Sequence, residues 1–480
     1  MVIALDLGTS SARATLYDAR GRAVDGRFHQ VPYEPATTPE GGVEHDPAQL
    51  LEAAAGCLDV VVRAARHDHV QAVAVTSFWH GLMGFDSGHQ PLTPLFMWAD
   101  SRSARDAEVL RDALDEDALH ARTGCHLHAS YWPAKLRWLA RERPAEAGRV
   151  TRWGSIGEHL ELTFFGEAAT SLSMASGTGL FDQDALRWDA EALAAAGIEV
   201  EQLFPLADRT AGRRGLRAPW ATRWPALRGV PWFPAVGDGA ASNIGSDCTD
   251  RGRVALNVGT SAALRIVCET AVAPPRGLWR YRIDGRRALL GGATSEGGNV
   301  YAWCREVLRL PDDDAVERWL GERTPDTHGL TVLPFLAGER APGWRGDRRA
   351  TITGLSLHTT ALDVMHAALE AVALRLALVY ELLAPHAAPD HQIVVSGGAI
   401  NRSRAWTQML ADALGRPVHA WPEHEATSRG AALLALEAMG VLPDVRTVRV
   451  PLGEVFTPDA AHHARYRAAL ERHRRLDVRV

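Results

Sequence analysis

The sequence predicts an α/β protein built from two copies of one domain, with a cleft between the copies. The phrase ALDLGTSSA at residues 4–12 returns as ALNVGTSAA at residues 255–263, with six of nine positions identical. In each copy a short apolar run meets Gly-Thr-Ser and an alternating run follows, which is typical of a strand, a tight turn and a second strand. The chain has 480 residues, 46% of them hydrophobic, so it is long enough for two or three domains.

The elements of the first half follow in a definite order. After the first hairpin, the turn DARGR leads into a third strand around residues 23–31. Asp46 and Pro47 have the pattern of an N-cap and a first helical residue, and the apolar residues that follow recur at helical spacing. The apolar run VQAVAVTS at residues 70–77 then predicts another strand. Three strands, a helix and a further strand are the start of an actin-like, ribonuclease-H-like domain.

The second half repeats this order less clearly. The runs VALNVGTSAALRIV and WRYRIDGRRALLGGAT have strand patterns, and a helix is expected over about residues 298–310. We place the domain boundary near residues 245–252, which gives a first domain of residues 1–247 and a second of residues 248–480. Because no low-complexity linker separates them, we expect two lobes joined by a hinge.

Composition excludes several classes of protein. The net charge is −6 and there is no basic stripe, which argues against a nucleic-acid partner. No apolar stretch approaches the roughly 20 residues that span a bilayer, and no basic region precedes the first apolar run, so we expect a cytoplasmic protein without membrane contact. Five cysteines without a CxxC pair indicate reduced thiols. Lys135 is the only lysine and follows no glycine, which excludes a Walker A phosphate loop.

The two Gly-Thr-Ser turns are candidate phosphate sites. Glycine lets a ligand approach the backbone, and the hydroxyl and N–H groups of such a turn donate to phosphate oxygens. The alternative is a pair of hairpins that only share good turn residues. Asp6 precedes the first turn and Asn257 the second, so the two turns have diverged in role. The turn residues are Gly8, Thr9 and Ser10 in the first copy and Gly259, Thr260 and Ser261 in the second.

Further polar residues follow the predicted strands. Asp238 lies between two glycines where an apolar run ends and a short helix begins. It is a candidate base that accepts the proton of a hydroxyl and directs the oxygen at phosphorus, and its alternative role is a helix N-cap. Trp98 offers a flat face to a sugar, while Asp100 and Arg102 offer an acceptor and a fork of donors. With His80 they form a candidate sugar pocket, although each alone is more typical of ordinary surface or core.

A double glycine forms a third candidate site. The strand pattern IVVS is followed by Gly397 and Gly398, and a helix is expected to start near Ser403 and to end at Gly415. Such a turn lets a flat ring lie against the backbone, which favours an adenine site in the second lobe. The alternative is a turn that only redirects the chain.

These motifs resemble the FGGY carbohydrate kinases, a family of the actin-like ATPase superfamily, over essentially the whole chain. DLGTSSARA is similar to the family's first phosphate motif, NVGTS to its second, and GDGAA to the motif of its catalytic aspartate. The most specific match is to the family's second signature at residues 350–370. YWPAKLRWLARE is similar to the first signature but departs from it at Trp132.

The resemblance implies ATP and Mg²⁺ as cofactors and a small sugar or sugar acid as the substrate. A homodimer is one expected assembly, although the sequence does not give the oligomeric state. Asp238 would be the base, and Asp6 together with Asp238 would place the metal. Arg13 would join the two turns in holding phosphates. The adenine would be bordered by Gly397, Gly398 and Asn401.

The substrate is expected to be D-gluconate. LTPLFMWADSRS and LPFLAGERAPGW are more similar to gluconokinases than to xylulokinases, whereas FWHG resembles the MHG of xylulokinases and EGGN at residues 296–299 departs from the gluconokinase pattern. We expect phosphorylation of the terminal hydroxyl to give 6-phosphogluconate. Since lysine is nearly absent, Arg102 is the expected partner of the gluconate carboxylate.

Other functions remain open at the level of sequence. Within the family, the alternative substrates are D-xylulose and other pentuloses or polyols. An actin- or Hsp70-like ATPase with a mechanical output would share the lobes and phosphate turns but would lack the sugar pocket. A catalytically dead sugar sensor is disfavoured because Asp6 and Asp238 are both present.

Overall fold

The computed structural model describes residues 1–269, 272–422 and 425–479. In the first half of the chain, five strands form one sheet in the order β5-β4-β1-β2-β3. β1 is antiparallel to β2 and parallel to β4, and β4 is parallel to β5. The strands are β1 (Val2–Leu7), β2 (Ser11–Tyr17), β3 (Ala23–Pro32), β4 (Ala72–Ser77) and β5 (Trp232–Gly237).

The second half forms a seven-stranded sheet. Its strands are β6 (Arg253–Val258), β7 (Ala262–Glu269), β8 (Trp279–Arg282), β9 (Arg287–Thr294), β10 (Gln392–Ser396), β11 (Val418–Ala420) and β12 (Val455–Phe456). The order is β8-β9-β7-β6-β10-β11-β12. The central five, β9-β7-β6-β10-β11, repeat the order and directions of the first sheet read from β3 to β5. The predicted duplication of a ribonuclease-H-like domain is confirmed.

Helices cover both sheets. In the described ranges the α-helices are α1 (Pro47–Ala64), α2 (Ala104–Ala113), α3 (Glu116–Thr123), α4 (Trp132–Glu142), α5 (Pro144–Ala147), α6 (Ile156–Phe165), α7 (Leu172–Ser176), α8 (Ala190–Ala196), α9 (Ala218–Arg223), α10 (Asp238–Gly245), α11 (Gly298–Val307), α12 (Asp313–Gly321), α13 (Ala361–Leu383), α14 (Arg404–Leu414), α15 (Ala426–Ala438) and α16 (Ala460–Arg479). The Asp46 carboxylate caps α1 by accepting from the Ala48 N–H, and α14 has Ser403 as its N-cap and Gly415 as its C-cap. These three cap residues confirm the predicted helix ends.

Short strands complete the lobes, most of them in the long insertion between β4 and β5. They are Ala36–Thr37, Val43–His45, Met83–Phe85, Leu95–Phe96, Arg152–Gly154, Thr170–Ser171, Phe181–Asp182, Arg187–Trp188, Leu206–Ala207, Thr331–Leu333 and Thr351–Thr353. They pair only in two- and three-stranded groups outside the two main sheets. This insertion supplies most of the residues of the predicted sugar pocket.

The first sheet is buried on both faces at β1, β4 and β5, whereas its edge strand β3 is largely exposed. Alternate residues of β1, such as Ile3 and Leu5, pack in one core with α1, while Val2 and Ala4 pack with Ala431 on α15. Such two-sided burial explains why all six residues of β1 are buried. Helix α15 belongs to the second half of the chain, so it ties that half to the first sheet.

Helices α10 and α15 cross at very short distance. A Cβ on Gly245 of α10 would overlap the carbonyl of Ala426, and a Cβ on Gly430 of α15 would overlap the carbonyl of Ala241. Glycine at both positions lets the two backbones touch. The crossing lies where the sequence placed the domain boundary.

The five cysteines are all buried, and none forms a disulfide, in line with the predicted free thiols. Within residues 1–269, 272–422 and 425–479, no helix is both long and apolar enough to cross a membrane.

Candidate active site

Asp238 stands at the junction of β5 and α10, as the sequence predicts. β5 ends at Gly237, which takes the N-cap position, and Asp238 is the first residue of α10. Asp238 is therefore not the helix N-cap. Its Oδ1 accepts a hydrogen bond from the Gly239 N–H at 2.7 Å. Burial raises the pKa of Asp238, and the charges of Arg265 and Arg340 oppose that rise.

The indole of Trp79 explains why glycines flank Asp238. A Cβ on Gly237 or on Gly239 would overlap this ring. The ring is held in place because its Nε1 donates to the Ser173 carbonyl at 2.9 Å. A larger residue at either glycine would therefore displace Trp79 or the turn that carries Asp238.

His80 follows Trp79 and is buried, with a φ of 69°. Its Nδ1 lies 2.5 Å from the Gly177 carbonyl, which only accepts, so Nδ1 carries the proton and Nε2 remains an acceptor. Burial and the nearby charge of Arg340 lower the pKa of His80 well below its usual value. A neutral imidazole with a free acceptor nitrogen suits a sugar hydroxyl.

Lys135 also belongs to this site, and the sequence motifs did not point to it. Its buried Nζ donates to the carbonyls of His80 at 3.0 Å and Ser130 at 2.9 Å. Burial lowers the pKa of Lys135 to about 7. Lys135 fixes the backbone of His80, and its one signal in the sequence was that it is the only lysine.

Asp100 and Arg102 bind one another. Nη2 of Arg102 lies 2.5 Å from Oδ2 of Asp100 and 2.9 Å from Oε2 of Glu44. The guanidinium also stacks on Trp138, 4.5 Å from the ring centroid. Since the side chains of Arg102 and Asp100 are only 10% and 4% exposed, a ligand carboxylate would have to displace an existing partner to reach Arg102.

Trp98 connects the predicted sugar pocket to the first phosphate turn. Its indole Nε1 comes within 3.5 Å of the Thr9 hydroxyl. The guanidinium of Arg340 lies over the same indole, 5.2 Å from the ring centroid. Trp98 therefore contacts both the first Gly-Thr-Ser turn and Arg340.

The first turn has its carbonyls tied back into the protein. The Tyr33 hydroxyl donates to the Gly8 carbonyl at 2.7 Å, and Nε2 of His45 donates to the Thr9 carbonyl at 3.0 Å. With these acceptors occupied, an anion at the turn meets fewer free carbonyl oxygens. Ser10 is exposed at the tip of the turn.

Two carboxylates and one arginine meet near the end of β1. Arg13 Nη1 is 3.7 Å from Oδ2 of Asp6 and 3.5 Å from Oε2 of Glu425, a residue that the sequence motifs did not identify. Burial raises the pKa of Asp6 to about 7, with Arg13 opposing the rise and Asp238 and Glu425 adding to it. Oδ1 of Asp6 and Oε2 of Glu425 are shielded from solvent and have no hydrogen-bond partner. Buried carboxylate oxygens without a partner are ligands of the kind that Mg²⁺ takes.

The second turn differs from the first at this position. Asn257 replaces Asp6, and its Nδ2 donates to the Ser396 hydroxyl of β10 at 3.1 Å. The Gly259 carbonyl accepts from the Gly298 N–H at 2.7 Å at the start of α11. A neutral amide thus ties two strands together where the first lobe has a carboxylate facing Arg13.

The double glycine lies directly beside the second turn. Gly397 has a φ of 117°, and a Cβ there would overlap the backbone of Val258, the last residue of β6. The Asn401 N–H donates to the Gly397 carbonyl at 3.1 Å. A Cβ on Gly398 would face open space, so this side of the turn is accessible to a ligand.

Comparison with known proteins identifies the chain. Residues 1–245 match the N-terminal domain of the FGGY family of carbohydrate kinases, and residues 254–439 match the C-terminal domain. The chain belongs to the FGGY family. It is 28% identical to a gluconokinase of Bacillus subtilis (strain 168) over 469 residues, which cover 95% of this chain and 91% of that protein.

Solved structures of FGGY kinases share the whole fold. A gluconate kinase and a ligand-bound xylulose kinase, both from Lactobacillus acidophilus, each superpose with a TM-score of 0.89 at 25% identity. In both comparisons 99% of this chain and 97% of the other are covered.

As an FGGY protein, the chain is a carbohydrate kinase, and kinases of this family use ATP. The family assignment favours phosphorylation of a sugar over a mechanical ATPase. The structure brings predicted residues together in three places: Trp98 lies beside Thr9, Asp6 beside Arg13, and Gly397 beside the second turn. The functional role of each remains a prediction.

Proposed function

We propose that this FGGY kinase transfers a phosphoryl group from ATP to the terminal hydroxyl of D-gluconate and forms 6-phosphogluconate. Its similarity to a gluconokinase over 95% of the chain supports this substrate. The observation that carries the choice is the charge of the sugar pocket. Arg340 lies over Trp98, 5.2 Å from the ring centroid, and Arg265 borders Gly239 beside the proposed base. Positive charge of this kind attracts an acid over a neutral sugar.

The proposed base is Asp238. Its Oδ1 accepts from the Gly239 N–H, and the carboxylate so oriented would accept the proton of the attacking hydroxyl. Arg265 and Arg340 favour the ionised form that a base requires, against the effect of burial. His80 Nε2 would accept from another hydroxyl of the sugar, and Trp98 would contact its C–H edge.

ATP would be shared between the two lobes. In this proposal the two Gly-Thr-Ser turns and Arg13 contact the phosphates, and the adenine lies against Gly397, Gly398 and Asn401. Asp6, Asp238 and Glu425 would hold Mg²⁺, which when bound neutralises phosphate charge. The orphaned Oδ1 of Asp6 is the observation that supports this metal site. The domains proposed from the sequence, residues 1–247 and 248–480, divide these contacts.

A cytoplasmic location, which suits five free thiols, is part of the proposal.

The deciding experiment is a coupled assay of ATP turnover against gluconate, xylulose, ribulose, glycerol and fucose-type ketoses. We expect the highest kcat/KM with gluconate. If the rate of ATP turnover were the same with and without each sugar, the protein would not be a sugar kinase. That result would favour an actin- or Hsp70-like ATPase with a mechanical output.

Xylulose is the second candidate substrate. His80 and Gly81 follow Trp79 in a motif that resembles one of xylulokinases, and the xylulose kinase of Lactobacillus acidophilus superposes as well as the gluconate kinase does. A higher kcat/KM for xylulose than for gluconate would replace the proposed substrate and leave the reaction type unchanged.

A further inference from the structure

Arg265 and Arg340 carry charges that the protein does not pair. The Nε and Nη1 atoms of Arg265 and the Nε atom of Arg340 are shielded from solvent and have no hydrogen-bond partner. Arg340 is only 8% exposed. Among the residues that the structure describes, neither guanidinium has a carboxylate within ion-pair distance. Buried charged groups ordinarily have a hydrogen-bond or ion-pair partner. The unpartnered N–H groups of these two arginines therefore indicate a ligand site.

Two separate segments bring these arginines to one place. Arg265 lies on β7, paired with Gly291 of β9, and Arg340 follows the short strand Thr331–Leu333. Arg265 borders the proposed base, because its Nε would lie 3.2 Å from a Cβ on Gly239, the residue after Asp238. Arg340 borders the proposed sugar pocket, because its guanidinium lies 5.2 Å from the centroid of Trp98.

The two guanidiniums repel each other. Burial lowers the pKa of Arg265, and the like charge of Arg340 lowers it further while Asp238 opposes the fall. An anion between them would relieve this repulsion and satisfy the orphaned N–H groups at once. Two anions reach this cavity during the proposed reaction, the carboxylate of the sugar acid and the transferred phosphoryl group.

We propose that Arg265 and Arg340 together bind the carboxylate of the sugar acid and so determine specificity. This inference rests on the proposed function and names the acid-recognition subsite of the same pocket. A guanidinium presents paired donors that match the two oxygens of a carboxylate. A neutral sugar would leave both buried charges unpaired, which disfavours its binding.

The aromatic surroundings of Arg340 support this role. Its guanidinium lies 5.2 Å from the centroid of Trp98 and 6.0 Å from that of Trp344. Stacking on indoles fixes the plane of the guanidinium without occupying its N–H donors. Arg102, the arginine expected from the sequence, is instead occupied by Asp100 and Glu44.

The test compares gluconate with gluconamide, its uncharged amide, in binding to the protein without ATP. Isothermal titration calorimetry gives the preference for the acid as the ratio of the two Kd values. We expect Arg265→Met and Arg340→Met each to reduce this preference about 10- to 100-fold. Arg340→Lys keeps the charge but loses the paired donors, so it should give an intermediate ratio.

A matched control is Arg323→Met, which removes another guanidinium that stacks on an indole, 4.4 Å from the Trp319 centroid. Arg323 is exposed, and we expect its variant to keep the wild-type preference. Circular dichroism and Tm establish that each variant is folded. If Arg265→Met does not fold, Arg265→Lys takes its place with the same intermediate expectation as Arg340→Lys.

An unchanged preference in the folded Arg265 and Arg340 variants overturns the subsite. So does a loss of ATP affinity with the preference intact, because the guanidiniums would then serve the phosphoryl group. These results leave phosphorylation of gluconate by the wild type untouched. Failure of the proposed function differs, since the wild type itself would neither phosphorylate gluconate nor prefer it to gluconamide, and that result overturns both proposals.

Discussion

The Asp238 carboxylate is oriented by a hydrogen bond that its Oδ1 accepts from the Gly239 N–H. Asp238→Asn keeps the size of the side chain but cannot take the hydroxyl proton. We expect kcat for gluconate to fall by about 10²- to 10⁴-fold, the usual contribution of a general base. In a loose transition state a general base contributes less to the rate than positioning does, which favours the lower end of this range. The substitution also removes the negative charge that orients the hydroxyl, and this adds to the fall in kcat.

The control for Asp238→Asn is nucleotide binding. Most proposed ATP contacts lie in the two turns and beside Gly397, away from Asp238. The Kd for ATP, measured by calorimetry without Mg²⁺, should therefore change little. A folded Asp238→Asn enzyme with near-normal kcat is incompatible with the proposed mechanism.

Gly237 is the second residue to test. In Gly237→Ala the new methyl group would overlap the Trp79 indole, so the ring or the Asp238 turn must move. Misplacement of about 1 Å is enough to cost about 10²-fold in rate, and we expect a fall in kcat of that order. Gly229→Ala is the matched control, because a Cβ there meets nothing within 4 Å. Equal steady-state kinetics of the two variants would show that Trp79 does not position the base.

The sequence predicts the backbone position of those candidate residues that belong to a local motif. Asp238, Gly397 and the turn glycines belong to short strand-to-helix or strand-to-strand motifs, and each has the backbone position expected. The sequence does not single out Arg265, Arg340, Lys135 and Glu425. Their surroundings are formed by residues that are distant in the sequence. An orphaned buried charge is visible only when its surroundings are known.

Arg102 is a residue that the sequence pattern selects but whose donors the folded protein already occupies. Its place after Trp98 and Asp100 made it the natural carboxylate partner, because the pattern offers a free fork of donors. Glu44, which occupies that fork, lies 58 residues earlier. Pairing over such a separation follows from tertiary structure, and no spacing rule reveals it.

Among the elements, the duplicated strands were the most predictable. Their alternation and turn residues are local, so β1, β2, β6 and β7 follow from the repeated phrase. The insertion between β4 and β5 was not assigned to elements, because its strands are only two or three residues long. Such short strands have no measurable period, and tertiary contacts decide their conformation.

Helix α13 contains a buried carboxylate whose contacts predict a pH effect. Glu370 accepts from Nε2 of His328 at 2.9 Å and from the Tyr466 hydroxyl at 3.1 Å, and His366 lies within 3.1 Å. Burial alone would raise the pKa of Glu370, but the hydrogen bonds from His328 and His366 lower it to about 2. We expect Glu370→Gln to reduce the free energy of unfolding by about 3 kcal/mol at pH 7.

The sign of the pH dependence follows from this lowered pKa. The carboxylate stabilises the fold fully above its ordinary pKa near 4.5, and this contribution is lost as the pH falls towards 2. Urea unfolding between pH 6 and pH 2 should therefore show a smaller loss of stability in Glu370→Gln than in the wild type. Glu381→Gln, on the same helix but 33% exposed, serves as the control and should follow the wild type. Parallel curves for all three proteins would contradict the role given to Glu370.

At the scale of the whole molecule, the boundary between the lobes is not a flexible loop. Asp247 is fully buried and pairs with Arg253 and with Arg449, the latter at 3.1 Å. Next to it, the backbones of α10 and α15 touch at Gly245 and Gly430. We therefore propose this helix crossing as the hinge. Residues 245–249 are buried in this structure, so proteolysis there is a poor measure of lobe closure.

The proposed closure of the lobes needs both ligands, because the two phosphate turns and the sugar pocket are divided between them. We expect the radius of gyration from small-angle X-ray scattering to fall when a non-hydrolysable ATP analogue and gluconate are present together, by more than the sum of their separate effects. Asp238→Asn with ATP and gluconate should give the same compact state, since that variant is expected to bind both without turnover. Gluconamide, which the acid subsite should bind weakly, is the matched control and should leave the lobes open at the same concentration. An equal radius of gyration in the free and doubly liganded enzyme would mean that the cleft is already closed without ligands. The division of ATP contacts between the lobes would then have no role in closing them.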